Sequence, residues 1–330
     1  MTISLTDPFT MKKRWIIGGA IVLGCLALVG LTRLLPINRA VLMKLWPAPK
    51  AERIVLAGSA NSGRIIDCNG GWFNDGKMTE LIIQSRKTTN GWDRPERITI
   101  RNCRIRGAVR IIGMGRNGQG PAVRESSVKR GHTERAQAAA PTQILISNVE
   151  IEADTLIPLY LAPGVTGVTL ENSKITGWSC STALYLDAES ANNSIRSNTF
   201  SLQARREIIA VDGSASNHIV GNQFDCLSHG GIYLYRNCGE GGTVRHQTPH
   251  HNVISGNRFS TESFGFWSYG IWLGSRNGKR SYRDDDAGYD FGSSVDNRDF
   301  ADNNIIAGNV FVPPDARAVR DDGQNNRIDR

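Results

Sequence analysis

Asp187 and Asp212 occupy the same place in two copies of one short pattern. Each closes an alternating run, Leu184-Tyr185-Leu186-Asp187 and Ile209-Ala210-Val211-Asp212, and the runs begin 25 residues apart. If successive runs lie side by side as strands, the two backbones are roughly 5 Å apart. Two carboxylates at such range resist joint ionisation, which raises one pKa and supplies an acid and a base. A separation of about 5 Å suits a retaining glycosidase better than an inverting one. Asp212-Gly213 is equally a plain turn signal. A third run, Ile232-Tyr233-Leu234-Tyr235, is preceded by His229 and followed by Arg236. A uronate lyase needs a cation for the substrate carboxylate, a base for the proton beside it and an acid for the leaving oxygen. The catalytic candidates are therefore Asp187, Asp212, Arg236, His229 and Tyr235.

The same runs contain a second pattern. Their inward positions by alternation are Leu159 and Leu161, Leu184 and Leu186, Ile209 and Val211, Ile232 and Leu234, Ile271 and Leu273. The residues between them point outward: Tyr160, Tyr185, Ala210, Tyr233 and Trp272. Exposed contiguous apolar surface marks a binding site, and sugar rings stack their C–H faces on aromatic rings. Tyr160, Tyr185, Tyr233 and Trp272 are the expected substrate-binding residues for a polysaccharide lying along the column. The alternative is cross-strand aromatic stacking covered by inserted loops.

A repeated phrase must position these runs. Asn193, Ile195, Asn198 and Phe200 return at the same spacing as Asn217, Ile219, Asn222 and Phe224, then as Asn252, Ile254, Asn257 and Phe259, and as Asn304, Ile306, Asn309 and Phe311. A looser form begins at 98, 144 and 168, with Asn102, Asn148 and Asn172 one place earlier in the phrase. The short gaps set a unit of about 24 residues and the long gaps carry insertions. Period-two alternation bounded by Gly, Asn, Asp and Ser is strand chemistry, and beyond residue 50 no segment has a helical stripe. Such a unit cannot bury its apolar residues alone; stacking puts each on its counterpart in the next coil. The Asn suits a corner, because it bonds nearby backbone, tolerates a left-handed conformation and can stack into a ladder.

The pattern resembles the right-handed parallel β-helix of the pectin-lyase-like superfamily, over residues 53–312. That resemblance implies an all-β solenoid and an exposed strand face of the coil as the site, where lyases and hydrolases of the superfamily act on polysaccharides. It matches no catalytic motif residue by residue.

Three insertions interrupt the coil, at 113–141, 236–251 and 274–303. The first reads as a basic surface loop. The second holds His246, His250 and His251, and the third a run of aspartates including Asp284, Asp285 and Asp286. Pro249 prevents a helix that would converge the histidines on a metal. The aspartates are chemistry that can hold calcium, but their spacing matches no EF-hand and bases interleave them. No cofactor or metal is therefore expected. Residues 313–330 read as a C-terminal tail.

The N-terminal region is of a different kind. Trp15 to Leu31 are uncharged and apolar, the run extends to residue 35, and Lys12, Lys13 and Arg14 precede it. The expectation is a cytoplasmic tail at 1–14, an uncleaved transmembrane signal anchor at 15–35 and a linker at 36–52. A small-x-small cleavage site is not clear. Residues 1–50 carry +6 and the remaining 280 residues only +2, which favours a membrane surface and argues against nucleic acid. The functional expectation is an inner-membrane, single-pass protein with its β-helix exported to the periplasm or beyond. It would act on an acidic or envelope polysaccharide as a lyase or glycoside hydrolase. The alternative is a non-catalytic polysaccharide-binding or scaffold protein. Five cysteines follow residue 50; Cys226 and Cys238 flank one strand and could pair, although a buried cysteine in a coil is more often a small stacking residue.

Overall fold

The computed structural model describes residues 51–279, 282, 286 and 289–329. The expected tail, anchor and most of the linker lie outside them. Among the described residues no helix is long and apolar enough to cross a membrane.

Residues from 51 onward form a parallel β-helix. One sheet, sheet 1, stacks β1 (Glu52–Ala57), β3 (Thr79–Gln84), the second half of β6 (Thr99–Ile112), β8 (Leu159–Leu161), β11 (Leu184–Leu186), β14 (Ile209–Asp212), β17 (Ile232–Tyr235), β20 (Ile271–Leu273) and β23 (Val319–Asp321). Sheet 2 carries the repeated phrase, from β2 (Ile65–Asp67) and the first half of β6 through to β24 (Arg327–Ile328). Every neighbour in both sheets is parallel, because each strand pairs with its own counterpart one coil away. The coil begins at Glu52 and does not stop at 312: β23 and β24 make a further partial turn from the segment read as a tail.

The interior is a set of apolar columns. Ile146, Leu170, Ile195, Ile219, Ile254 and Ile306 lie in register, and Phe200, Phe224, Phe259 and Phe311 stack with centroids 4.7–5.0 Å apart. Two asparagine columns flank them. Asn193, Asn217, Asn252, Asn304 and Asn326 form one, Asn198, Asn222, Asn257 and Asn309 the other, and each amide donates to the Oδ1 of the next at 2.8–3.1 Å. Each Oδ1 also accepts the backbone N–H of the preceding ladder residue, as Asn222 Oδ1 does from Asn198. The left-handed conformation falls on a different position from these asparagines. It sits one residue before each column: at Asn192, Ser216, His251, Asn303 and Asn325 for the first, and at Ser197, Gly221, Gly256 and Gly308 for the second, these last being the counterparts of Asn102, Asn148 and Asn172 in the earlier coils. Turn and ladder are thus two neighbouring duties: the residue that bends the chain frees the next side chain to point inward and bond.

β6 crosses from sheet 2 to sheet 1 without a break, and Gly107 makes the corner. Its φ is +122°, and a Cβ there would stand 2.1 Å from Thr79 O. Only glycine fits such a corner.

The insertion at 113–141 contains two short helices, α1 (Pro121–Ser127) and α2 (His132–Ala139), where the sequence suggested an irregular loop. They bury Ser126, Ser127, Ala136 and Ala139 beside Val123, so small side chains mediate the packing and no large apolar stripe betrays the helices. The disulfide joins Cys68 to Cys103, tying the first coil to the second, whereas Cys226 and Cys238 are free. Burial pushes the Cys238 thiol up to about 12. Closing a 35-residue separation stabilises by about 3–4 kcal/mol in the chain-entropy account. Reduction, or Cys103→Ser, is expected to lower the melting temperature and to expose amides of residues 51–85 to hydrogen exchange first. Unchanged melting under reductant would count against the staple.

Candidate functional site

The outer side of sheet 1 carries the column that alternation assigned to it. Ile82, Arg110, Tyr160, Tyr185, Ala210, Tyr233, Trp272 and Arg320 are successive register partners. The Tyr160 and Tyr185 rings stack at 5.2 Å, Tyr233 meets Trp272 edge-on at 5.4 Å, and guanidinium groups of Arg110 and Arg320 cover the two ends. This wall faces away from the core, yet most of it is not open to solvent: Tyr160, Tyr185 and Tyr233 are only 7–8% exposed. The inserted segments lie over it and divide it into a sealed half and an open half.

In the sealed half Tyr160 donates to Asp187 Oδ2 at 2.6 Å and Tyr185 to Asp212 Oδ2 at 2.7 Å. Asn237 gives Asp212 both its backbone N–H and its amide, each at 2.8 Å. Arg245, from the second insertion, sits 3.4 Å from Asp187 and donates to Asn237 O. Both aspartates are buried. Burial, opposed by Arg245 and reinforced by Asp212, raises the Asp187 carboxyl to about 6. Burial first, then the nearby carboxylates, hold both tyrosine hydroxyls protonated well above the ordinary phenol range. The pair predicted from spacing is therefore brought together, but no substrate reaches it while the insertions stay in place.

Those insertions interlock. Glu189 accepts from the backbone of His246 and Gln247 and from Thr133 of α2. Val244 N–H donates to Ser127 Oγ at the end of α1. His132 and His246 rings meet at 5.3 Å, and burial, followed by the electrostatic influence of His246, Arg135 and Arg245, lowers His132 to about 3. Asp299 of the third insertion accepts the backbone N–H groups of Arg236, Arg276 and Asn277. Arg236 is spent here: its guanidinium donates to the carbonyls of Arg298 and Arg245 and lies 4.3 Å over the Phe291 ring. It fastens two loops together and offers no donor to Asp187 or Asp212. His229 is exposed in the turn before β17, with Nδ1 3.1 Å from Ser228 Oγ, and belongs to neither half. Among the described residues no group of three or more His, Cys, Asp and Glu could hold a metal ion. His250 and His251 pair with each other.

The open half is a cavity of about 340 Å³ whose walls include Arg206, Glu207, Tyr233, Tyr235, Trp272 and Arg276, with exposed Lys279 at its rim. Tyr235 donates to Glu207 Oε1 at 2.7 Å, and Arg206 donates to both, at 3.0 and 2.9 Å. Burial, then Glu207, raises the Tyr235 hydroxyl far above its ordinary value, so it keeps its proton at neutral pH. Arg276 lies flat on the Tyr235 ring, 3.6 Å from its centroid, and is 6% exposed. Both its terminal guanidinium nitrogens lack a hydrogen-bond partner among the described residues. A buried guanidinium whose terminal nitrogens make no hydrogen bond is costly, and here it borders a cavity large enough for a sugar residue. Of the residues singled out from sequence, Tyr233, Tyr235 and Trp272 meet in this cavity. Arg206, Glu207 and Arg276 were missed as a group: Arg206 and Glu207 precede β14, and Arg276 lies in an insertion with no repeat to place it. The one signal available was the Arg206-Glu207 pair immediately before an alternating run.

Coils stacked in register through two parallel sheets define the parallel β-helix class. A family described as the right-handed β-helix region matches residues 86–311, and the chain belongs to that family. No curated protein matches it. Among solved structures, the mannuronan C-5 epimerase AlgE6 A-module of Azotobacter vinelandii is similar at 10% identity, with a TM-score of 0.31, over 85% of this chain and 92% of that one.

Proposed function

We propose that the protein acts on an acidic polysaccharide, taking a uronate residue into the cavity beside Trp272 and cleaving the chain by β-elimination. The observation that carries this reading is Arg276, a buried guanidinium in the cavity wall whose terminal nitrogens have no hydrogen-bond partner among the described residues. Together with Arg206 and Lys279 it would neutralise the substrate carboxylate and acidify the proton on the adjoining carbon. Glu207 would take that proton while the bond to the leaving oxygen breaks, and Tyr235, which keeps its proton at neutral pH, would supply the leaving oxygen with one. Trp272 and Tyr233 would hold the ring. Asp187 and Asp212, with Arg245 upon them, shape the wall beside this site and are not required as acid and base.

The disulfide supports an oxidising compartment, and the apolar run at 15–31 supports attachment to a membrane with the coil exported. Binding without turnover is the second reading. It is favoured by Glu207 Oε1, which is already occupied by the Tyr235 hydroxyl and an Arg206 N–H.

Incubation with a panel of uronate and neutral polymers, following absorbance of unsaturated products, tests both. Arg276→Ala is expected to lower turnover, or affinity if there is none, by about 100-fold or more, since truncating a buried charge contact costs 2–5 kcal/mol; Arg276→Lys should keep part of it. Equal binding of uronate polymer by wild type and Arg276→Ala would exclude both readings at this cavity.

A further inference from the structure

Two of the most exposed large apolar side chains in the described structure are neighbours. Phe266 and Trp267 are 81% and 78% exposed, and their rings meet edge-on at 4.7 Å. They do not hang on a loose segment. Ser263 Oγ accepts Leu227 N–H, Ser268 Oγ donates to Ser228 O at 2.7 Å, and Arg317 donates to Gly265 O at 2.7 Å while lying over the Phe264 ring. A Cβ on Gly265 would stand 2.3 Å from Ser228 O, so the loop is seated tightly on the turn before β17. The far end is anchored too, because Tyr269 donates its backbone N–H to the Tyr233 hydroxyl. Holding two large rings in water on a pinned loop forfeits burial without gaining flexibility, which is the mark of a contact surface.

The loop also continues the cavity wall. The Tyr269 ring meets Trp272 at 4.9 Å, Arg320 lies over both, and Trp267 stands two residues before Tyr269. We propose that Phe266 and Trp267 form a second sugar-binding platform, on which the polysaccharide rests after leaving the cavity. The platform would confer preference for long chains over short ones. This rests on the cavity being a sugar site. Its ligand is the pyranose face itself, which stacks on aromatic rings whatever acid the residue carries. An anionic lipid surface would be drawn by free cations around the pair, and Arg317, which reaches Phe266 O, is committed to Asp315 and to loop carbonyls.

The test is equilibrium binding of oligogalacturonates and oligomannuronates, disaccharides against longer oligomers, to the full chain and to Phe266→Ala/Trp267→Ala. Both side chains are exposed, so melting should be unchanged. Wild type is expected to bind long oligomers tighter than disaccharides, and the double variant to lose about 30-fold on long oligomers with disaccharide affinity intact. If the variant keeps the full length preference, the platform is wrong while the cavity reading stands. If it instead loses binding to anionic phospholipid vesicles that wild type retains, the pair is a membrane contact and the proposal is overturned. Should wild type bind no uronate oligomer, the cavity reading fails and the platform with it.

Discussion

Asn222→Ala is expected to remove about 4 kcal/mol of stability, more than any single apolar truncation on the surface of the coil. The Asn222 amide donates to Ile195 O and to Asn257 Oδ1, and its Oδ1 accepts both N–H groups of Asn198. Alanine leaves those partners buried with nothing to bond, and each orphaned polar group costs about 1–3 kcal/mol. Asn222→Asp should be nearly as harmful, because a carboxylate cannot donate to Ile195 O. Denaturant titration measures the loss, and hydrogen exchange should find it concentrated in the coils that hold Asn198 and Asn257. A loss under about 1 kcal/mol would mean that water replaces the ladder, and the column would then be a passive feature of the corner.

Arg245→Ala is the second large effect. Arg245 is fully enclosed between Asp187, Glu240 and the carbonyl of Asn237. Removing one partner of a buried ion pair costs about 3–5 kcal/mol, since the other charge remains uncompensated. Burial already raises Asp187 to about 6 with Arg245 present. A raised carboxyl contributes stability below the unfolded-state value and loses it as pH climbs through the folded one. Removing Arg245 raises the Asp187 carboxyl further, so the deficit of Arg245→Ala should be greatest above that higher value and shrink as pH falls towards about 6. Asp187→Asn combined with Arg245→Met should recover much of the loss, because no lone charge is left. Stability curves at several pH values decide it: a deficit independent of pH, or a double variant no better than the single, would show that Arg245 acts by packing alone.

The coil was legible because its information is local and repeated. A side-chain period of two assigns Leu184 and Leu186 inward and Tyr185 outward, and the 24-residue return of Asn, Ile, Asn and Phe places the stacked columns. The two duties given to the asparagine fall on neighbouring positions: Asn102, Asn148 and Asn172 of the looser phrase take the left-handed turn, whereas in the strict phrase the turn belongs to the residue before the ladder asparagine, a distinction visible only in backbone angles. The tail read after 312 adds a partial coil, since β23 and β24 are too short and polar to announce themselves.

The site was half legible, for a related reason. Alternation can say which way Tyr160, Tyr185 and Trp272 point, but it carries no account of what lies on top of them. The insertions have no repeat, and their seats depend on contacts such as Glu189 with His246 and Asp299 with Arg276, which join residues 57 and 23 apart in sequence. Those contacts close Asp187 and Asp212 away from solvent, turn Arg236 into a fastening between loops, and bring Arg276 onto Tyr235. Periodicity thus decided the coil, its two sheets and the direction of every strand side chain, because each follows from neighbours in the chain. Which part of the outer wall stays open, and which cation faces it, was decided only where three unrelated loops met, because a buried charge is settled by whatever surrounds it in space.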